Sequence, residues 1–248
     1  MDAEKTVPSD RWTHAQAESF DSLGDPMFAP DLLDRTTTFL ADYAGDGAAL
    51  EFAVGTGRVA IPLQARGVPV TGIDYSAAMI EALQRKTAAI PTLVGDMATD
   101  RVEGDFSLVY LVDNTIGNLY TQDAQVACFR NAARHLVTGG HFVIEVFVPA
   151  LRRLPPGQAA IPFDISPTHL GFDNYDLASQ SAVSHHYVRQ NDGAYRYTPH
   201  HFRYVWPSEL DLMARLAGLS LVARYADWDR SPFTSESSSH VSVWRLEG

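Results

Sequence analysis

From about residue 48 to 147, apolar strand-like runs alternate with amphipathic stretches. AALEFAV precedes a helical stretch from Arg58 to Arg66, and PVTGID precedes another from Ser76 to about Lys86. PTLVGD and FSLVYLVD lead into a third around 121 to 137, and HFVIEVFV follows the turn Gly139-Gly140. Strands that are apolar throughout are buried on both faces, and the intervening helices supply the cover. The pattern predicts a doubly wound α/β fold around a parallel sheet.

After Pro149 the period changes. Pro155-Pro156-Gly157 and Pro162 read as a loop. LASQSAVSHHYVRQ and AYRYTPHHFRYVW then flank Asn191-Asp192-Gly193, which predicts an inserted antiparallel β-hairpin. Alternation puts Val183, His185 and Tyr187 on one face of its first strand. In the second strand His200, Phe202, Tyr204 and Trp206 share one face, and Tyr197, His201 and Arg203 the other. Pro207-Ser208-Glu209 opens a helix that runs to Ala217 and stops at Gly218. LSLVARYAD and HVSVWRLE close the chain as two strands around a serine-rich loop. At the other end, PDLLDRTTTFLADY reads as a covering helix behind a less regular arm that holds Trp12, His14 and Phe20. The expected division is a helical arm or lid (1–47), a cofactor-binding core (48–150), a substrate-side β insertion (151–206) and a closing helix and strand pair (207–248).

Composition narrows the partners. Of the 248 residues 46% are apolar, enough for a full core, and the formal net charge of −11 argues against nucleic acid. No uncharged apolar run approaches membrane-spanning length, and MDAEKTVPSD lacks the basic start and apolar core of a secretion signal, so a cytoplasmic protein is expected. Cys128 is the sole cysteine, which excludes an intrachain disulfide; helical spacing in AQVACFRNAARHL makes it a buried apolar residue. The neighbours in His185-His186 and His200-His201 point to opposite faces, so neither pair chelates one ion, although two strands can bring one histidine from each pair together. No metal is expected.

The candidate chemistry centres on EFAVGTGRVAIPL. Gly55-Thr56-Gly57-Arg58-Val59-Ala60 fits the G-x-G-x-x-G/A turn of dinucleotide sites, and Asp74 ends the following strand, where an acid accepts hydrogen bonds from ribose hydroxyls. NAD enzymes and adenosylmethionine enzymes share those parts. Three features favour the second class. Glu51 lies within the first strand, where an acid suits a cationic amino-acid moiety. Asp96 in VGDM can accept from an exocyclic amine, with Met97 over the ring. The helix, strand, loop, strand ending suggests an antiparallel last strand rather than a second mononucleotide-binding half.

In their order and spacing, LEFAVGTGRVAIPL, VTGIDYSAAMI, VGDM and RHLVTGGHFVIE resemble the class I S-adenosylmethionine-dependent methyltransferases, with WPSELDLMARLAGL a looser match. The resemblance implies a Rossmann-like sheet of seven strands with the last antiparallel, and S-adenosyl-L-methionine as cofactor. It assigns Glu51, Gly55, Thr56 and Gly57 to the turn around methionine and ribose, with Arg58 opening the next helix as an ion-pair or ligand residue. It assigns Asp74 to the ribose, Tyr75 and Met79 to its border, Asp96 and Met97 to adenine, and Leu111 to the neighbourhood of the methionine. Trp12 is read as a lid over the cofactor or as plain packing.

The chain also resembles amino-sugar N-methyltransferases of antibiotic pathways, through TIGNLY. Those enzymes carry a histidine where this chain has Asn118, which cannot take a proton at neutral pH and is left to orient a substrate by hydrogen bonds. Asp113 and Asn114 follow strand four, where the family places methyl-transfer groups or a turn forms. Asp113 and His201 are the candidate bases should the acceptor be a hydroxyl, and Glu145 is either a substrate contact or half of a buried structural pair.

The resulting expectation is a methyltransferase for a small-molecule amine or hydroxyl that works mainly by positioning. The alternatives are an NAD-dependent oxidoreductase, for which no nicotinamide half-site is visible, and a non-catalytic adenosylmethionine-binding protein, against which the aromatic hairpin argues. The pattern leaves the oligomeric state open.

Overall fold

The apolar runs form β1 (Ala48–Phe52), β2 (Val70–Asp74), β3 (Thr92–Val94), β4 (Phe106–Leu111) and β5 (Leu136–Phe147), which pair in parallel in the order β5-β4-β1-β2-β3. The computed structural model describes His14, Ala17, Phe20, Asp21 and residues 26–248. The sheet is completed by β10 (Leu219–Tyr225) and β11 (Ser239–Leu246), with β11 antiparallel to β5, giving seven strands in the order β10-β11-β5-β4-β1-β2-β3. The predicted turn at Gly139-Gly140 is an irregularity inside β5, where the pairing with β4 shifts register.

Alternation along each strand sends residues to two apolar layers. Leu50, Phe52, Val109, Leu111 and Phe142 pack with Cys128 and Phe129 of α4 (Gln122–His135) and Met213 of α5 (Pro207–Leu216). The other face buries Ala49, Leu108 and Tyr110 against α1 (Pro30–Ala44), α2 (Ala60–Ala65) and α3 (Ala77–Lys86). Cys128 is buried as expected, and burial pushes its thiol well up from the ordinary range. The helix expected from Arg58 is shorter, because the turn continues to Val59.

The region after Pro149 departs further from the reading. The hairpin is present as β8 (Ser181–Arg189) and β9 (Tyr195–Arg203), but it belongs to a four-stranded antiparallel sheet with β6 (Ala160–Ile165) and β7 (His169–Asp176). The stretch around Pro162, read as loop, is the edge strand β6, with a bulge between Pro162 and Asp164. Proline lacks the donor for a central strand but is tolerated on an edge. Among the described residues no helix is long and apolar enough to cross a membrane.

Candidate active site

Between β1 and α2 the backbone takes positive φ at Ala53, Gly55 and Gly57. The two glycines do different work. A Cβ on Gly57 would fall 2.3 Å from Leu83 Cδ1 and 3.0 Å from Ile61, so this glycine lets α3 pack against the turn. A Cβ on Gly55 would meet nothing nearer than a backbone oxygen at 4.0 Å, so open space lies above the turn at this residue. Asp74, at the end of β2, holds the turn in place: Gly55 N donates to its Oδ2 at 2.7 Å and Ser76 N to its Oδ1 at 2.8 Å. Burial raises the Asp74 pKa against these two backbone donors.

Glu51 is buried in the middle of this arrangement, and Tyr110 Oη donates to its carboxylate at 2.8 Å. Burial pushes the Glu51 pKa up to about 8, opposed by the Tyr110 hydroxyl and the positive charge of Arg58. Arg58 itself donates to the Met27 carbonyl at 3.1 Å. Thr56 is fully buried and donates to Asp21 of the N-terminal arm at 2.6 Å, while Lys86 donates to the Thr56 carbonyl at 2.9 Å and pairs with Asp21. Trp12, the expected lid residue, lies outside the described residues.

The carboxyl end of β4 is strained. Asp113 and Asn114 both have positive φ, +58° and +56°, which non-glycine residues adopt at a cost of about 1–3 kcal/mol each. Glu145 on β5 stabilises the strained turn, taking Asp113 N at 3.0 Å on one oxygen and Trp228 Nε1 at 2.8 Å on the other. These two bonds give Glu145 a structural role at the junction. Asn114 completes the junction by accepting from Phe147 N at 3.2 Å. Asn118 ends the short helical turn Thr115–Asn118, exposed, with Gly117 beneath the Arg203 carbonyl of the insertion.

A cavity of about 410 Å³ opens beside this strained end, between the core and one face of the four-stranded sheet. Asn114, Phe147, Arg153, Phe163, Asp173 and Tyr175 are among its walls. Tyr175 donates to Asp173 at 3.2 Å, and burial, then the Asp173 charge, push its phenol well above the ordinary range.

Two expected positions lie away from this cavity. β9 gives Phe202 and Tyr204 to the cavity, so alternation turns His201, which pairs with Val183, to the opposite face of the sheet. Arg203, expected beside His201, is buried instead. It donates to Gln125 Oε1 at 2.5 Å and Glu209 Oε1 at 2.7 Å, fastening the insertion to α4 and α5.

The other expected residues divide. Asp96 caps the following turn by accepting from Ala98 N at 2.7 Å, and Met97 is buried in the core layer beside it. Tyr75 is more than half exposed next to Asp74. Met79 is buried against Ala17 of the arm, and the Leu111 side chain is fully buried in the core. Tyr110, Asp21, Trp228 and Asp173 were not singled out from the sequence. Tyr110, Asp21 and Trp228 act through partners distant along the chain and Asp173 through its position on the cavity wall, and only Tyr110, alternating within an apolar strand beside the acid-bearing one, had any local signal.

A family model described as "Methyltransferase domain" matches residues 49–140. The chain is 35% identical to the solved CcbJ methyltransferase from Streptomyces caelestis, covering 94% of this chain and 96% of that one with a TM-score of 0.82. It is 28% identical over 206 residues to a cypemycin N-terminal methyltransferase from a Streptomyces species, covering 78% and 81% of the two chains. A solved amino pentose methyltransferase from Micromonospora echinaspora, 16% identical, shares the fold with a TM-score of 0.70 over 94% of this chain and 97% of that one.

Proposed function

The chain belongs to the S-adenosylmethionine-dependent methyltransferases, and from that premise we propose that it methylates the nitrogen of a small-molecule amine held between the core and the insertion sheet. Membership in this family displaces the dinucleotide reading of Gly55-Thr56-Gly57. The residues around the turn fit the cofactor: open space above Gly55 for close approach, Asp74 for ribose hydroxyls, Asp96 for the adenine amine and the buried Glu51 toward the methionine ammonium. Tyr75 and Met97 border the same strand ends. The bound cofactor supplies an electrophilic sulfonium methyl group.

The single observation that carries the acceptor assignment is the cavity beside Asn114, at the carboxyl edge of the sheet where ligands gather in open α/β folds. Phe147, Phe163 and Phe202 on its walls give the acceptor an apolar packing surface, and Asp173 offers an anion to an ammonium or to a hydrogen-bonded amine. Asn118 and Asp113, at the rim of β4, orient the attacking nitrogen by hydrogen bonds, and a neutral amine needs no strong base there. Nitrogen as the target draws support from relatives named for N-terminal and for amino pentose methylation. The acidic net charge of −11 favours a small molecule over nucleic acid, and the buried single cysteine suits a reducing, cytoplasmic setting.

The test is transfer of labelled methyl from S-adenosylmethionine to a panel of primary and secondary amines and their matched alcohols. Label in the amines is expected; label confined to the alcohols overturns the nitrogen assignment, and no binding of the cofactor overturns the cofactor site.

A further inference from the structure

The cavity face of the insertion sheet carries a continuous line of hydrogen-bonded side chains. His169 Nδ1 lies 2.6 Å from Asp164 Oδ2, His169 Nε2 lies 3.0 Å from His186 Nδ1, and His186 Nε2 lies 3.1 Å from Ser184 Oγ. The two imidazole planes are within 9° of parallel and their centroids are 5.1 Å apart. With nitrogens only 3.0 Å apart at that centroid separation, the rings meet edge to edge rather than face to face. One end of the line is at the surface, where the Asp164 side chain is 40% exposed. The other end is Ser184, the cross-strand partner of the wall residue Asp173, and Phe163, another wall residue, packs against both imidazoles.

With His169 neutral, the donors and acceptors fix one polarity. A carboxylate only accepts, so His169 carries its hydrogen on Nδ1 toward Asp164. A neutral His169 then has a bare Nε2, which requires the hydrogen of His186 on Nδ1. His186 Nε2 is bare in turn, and the Ser184 hydroxyl donates to it. Burial, then the neighbouring His200, His169 and His185, push the His186 pKa down to about 4, so this ring is neutral in ordinary buffers.

We propose that Ser184, His186, His169 and Asp164 form a proton relay that carries the proton released by the methylated amine from the cavity to solvent. This rests on the cavity's being the acceptor site. As the amine nitrogen forms its bond to the methyl carbon, the carbon–sulfur bond breaks with its electron pair left on sulfur, and the nitrogen becomes an ammonium. Ser184 Oγ takes the ammonium proton as the Ser184 proton moves to His186 Nε2, while Asp173, the cross-strand neighbour of Ser184, holds the ammonium charge. The His186 Nδ1 proton then moves to His169 Nε2, and the His169 Nδ1 proton to Asp164. The amine ends neutral and Asp164 ends as the uncharged acid, exposed enough to lose its proton to water. Return of both rings to their first tautomers resets the line.

The first measurement is nitrogen-15 NMR of the histidine side chains in the intact protein, which needs no acceptor. His169 and His186 are expected in the Nδ1–H tautomer, the minor form of free imidazole; either ring in the Nε2–H form overturns the proposal. The second uses any amine that accepts methyl. Ser184→Ala is expected to lower turnover at saturating acceptor by about tenfold or more, with cofactor affinity unchanged. Added imidazole buffer should restore its rate, and Ser184→Thr should retain the wild-type rate. Unchanged turnover in Ser184→Ala, or a loss that neither buffer nor threonine restores, marks the line as structural and overturns the relay. Absence of transfer to every amine overturns the proposed function instead, while the tautomers still decide the polarity of the line.

Discussion

Tyr110 Oη donates to the carboxylate of Glu51 at 2.8 Å, and the two residues are register partners on adjacent parallel strands. Both are buried, so the carboxylate meets a hydroxyl rather than water. Burial places the Glu51 pKa near 8 in the fold, against an ordinary 4.5. Between those values the folded protein holds a proton that the unfolded chain has lost. The contribution of Glu51 to stability therefore falls as pH rises from about 4.5 to about 8. An arriving methionine ammonium favours the ionised form. Binding of S-adenosylmethionine at neutral pH is expected to release a proton, read by calorimetry in two buffers of different ionisation enthalpy. Glu51→Gln should abolish that release and flatten the stability profile over the same range. A buffer-independent binding enthalpy in the wild type would remove Glu51 from the cofactor site.

Asp74 ties the glycine turn to the start of α3 through two backbone donors. Asp74→Asn keeps one carbonyl acceptor but turns an NH₂ group toward the other donor. Loss of a charged hydrogen bond costs about 1.5–3 kcal/mol, which corresponds to at least roughly tenfold in affinity where the turn is the binding surface. Calorimetry with the cofactor checks this, and unaltered affinity would remove Asp74 from the site.

The two glycines of the turn separate packing from binding. Gly57→Ala forces a Cβ into Leu83 and Ile61 at φ +86°, so a loss of about 1–3 kcal/mol in stability is expected by denaturant unfolding. Gly55→Ala meets only the Ala53 carbonyl oxygen, at 4.0 Å, so with the strain of φ +55° but no clash it should cost less stability than Gly57→Ala while obstructing the cofactor. Equal destabilisation by both substitutions would refute the division.

The core was legible because its signals are local. Apolar runs of strand length, a glycine pair and acids at strand ends are read without knowing what touches what, and Glu51, Gly55 and Asp74 come together as their spacing implies. Legibility failed where pairing sets the outcome. The strand around Pro162 is stable only as an edge beside β7, and Arg203 is buried only because Gln125 and Glu209 await it from other elements. The face of β9 was illegible for a simpler reason: alternation defines two faces, one with Phe202 and Tyr204 and one with His201, but not which of them lines the cavity. Glu145 needed Trp228, which is remote along the chain, before its structural bond could be seen.

Arg203 and Glu209 form the pair that docks the insertion, with side chains 6% and 13% exposed. Glu209→Gln leaves the guanidinium buried without its counter-charge, and breaking such a pair costs about 3–5 kcal/mol. Burial alone would raise the Glu209 pKa, but the hydrogen bonds from Arg203, Gln180 and Gln122 outweigh it and hold the group below its ordinary 4.5. Its stabilisation is thus present above about 4.5 and is lost as pH falls through the lower folded value. Thermal unfolding of wild type and Glu209→Gln should converge on acidification; a constant difference would show that the pair's charge is not what matters.

Asp173 is the one carboxylate among the described walls of the cavity, and it belongs to the insertion rather than to the glycine turn. An amine that docks there as an ammonium, or donates a hydrogen bond as the free base, meets a negative charge flanked by apolar side chains, where a charged hydrogen bond is worth about 1.5–3 kcal/mol. Asp173→Asn retains the shape of the wall and an acceptor oxygen for Tyr175 while removing the charge. The expected result is a rise in acceptor KM of roughly tenfold to a hundredfold, with cofactor affinity unchanged because no bond links Asp173 to the residues around Gly55. Asn114→Ala is the contrasting variant: it loosens the strained end of β4 and its tie to Phe147, so it should depress turnover as well as acceptor binding. A KM that stays constant in Asp173→Asn would mean that the amine enters the cavity by its apolar contacts alone, with its nitrogen turned toward Asn114 and away from the insertion.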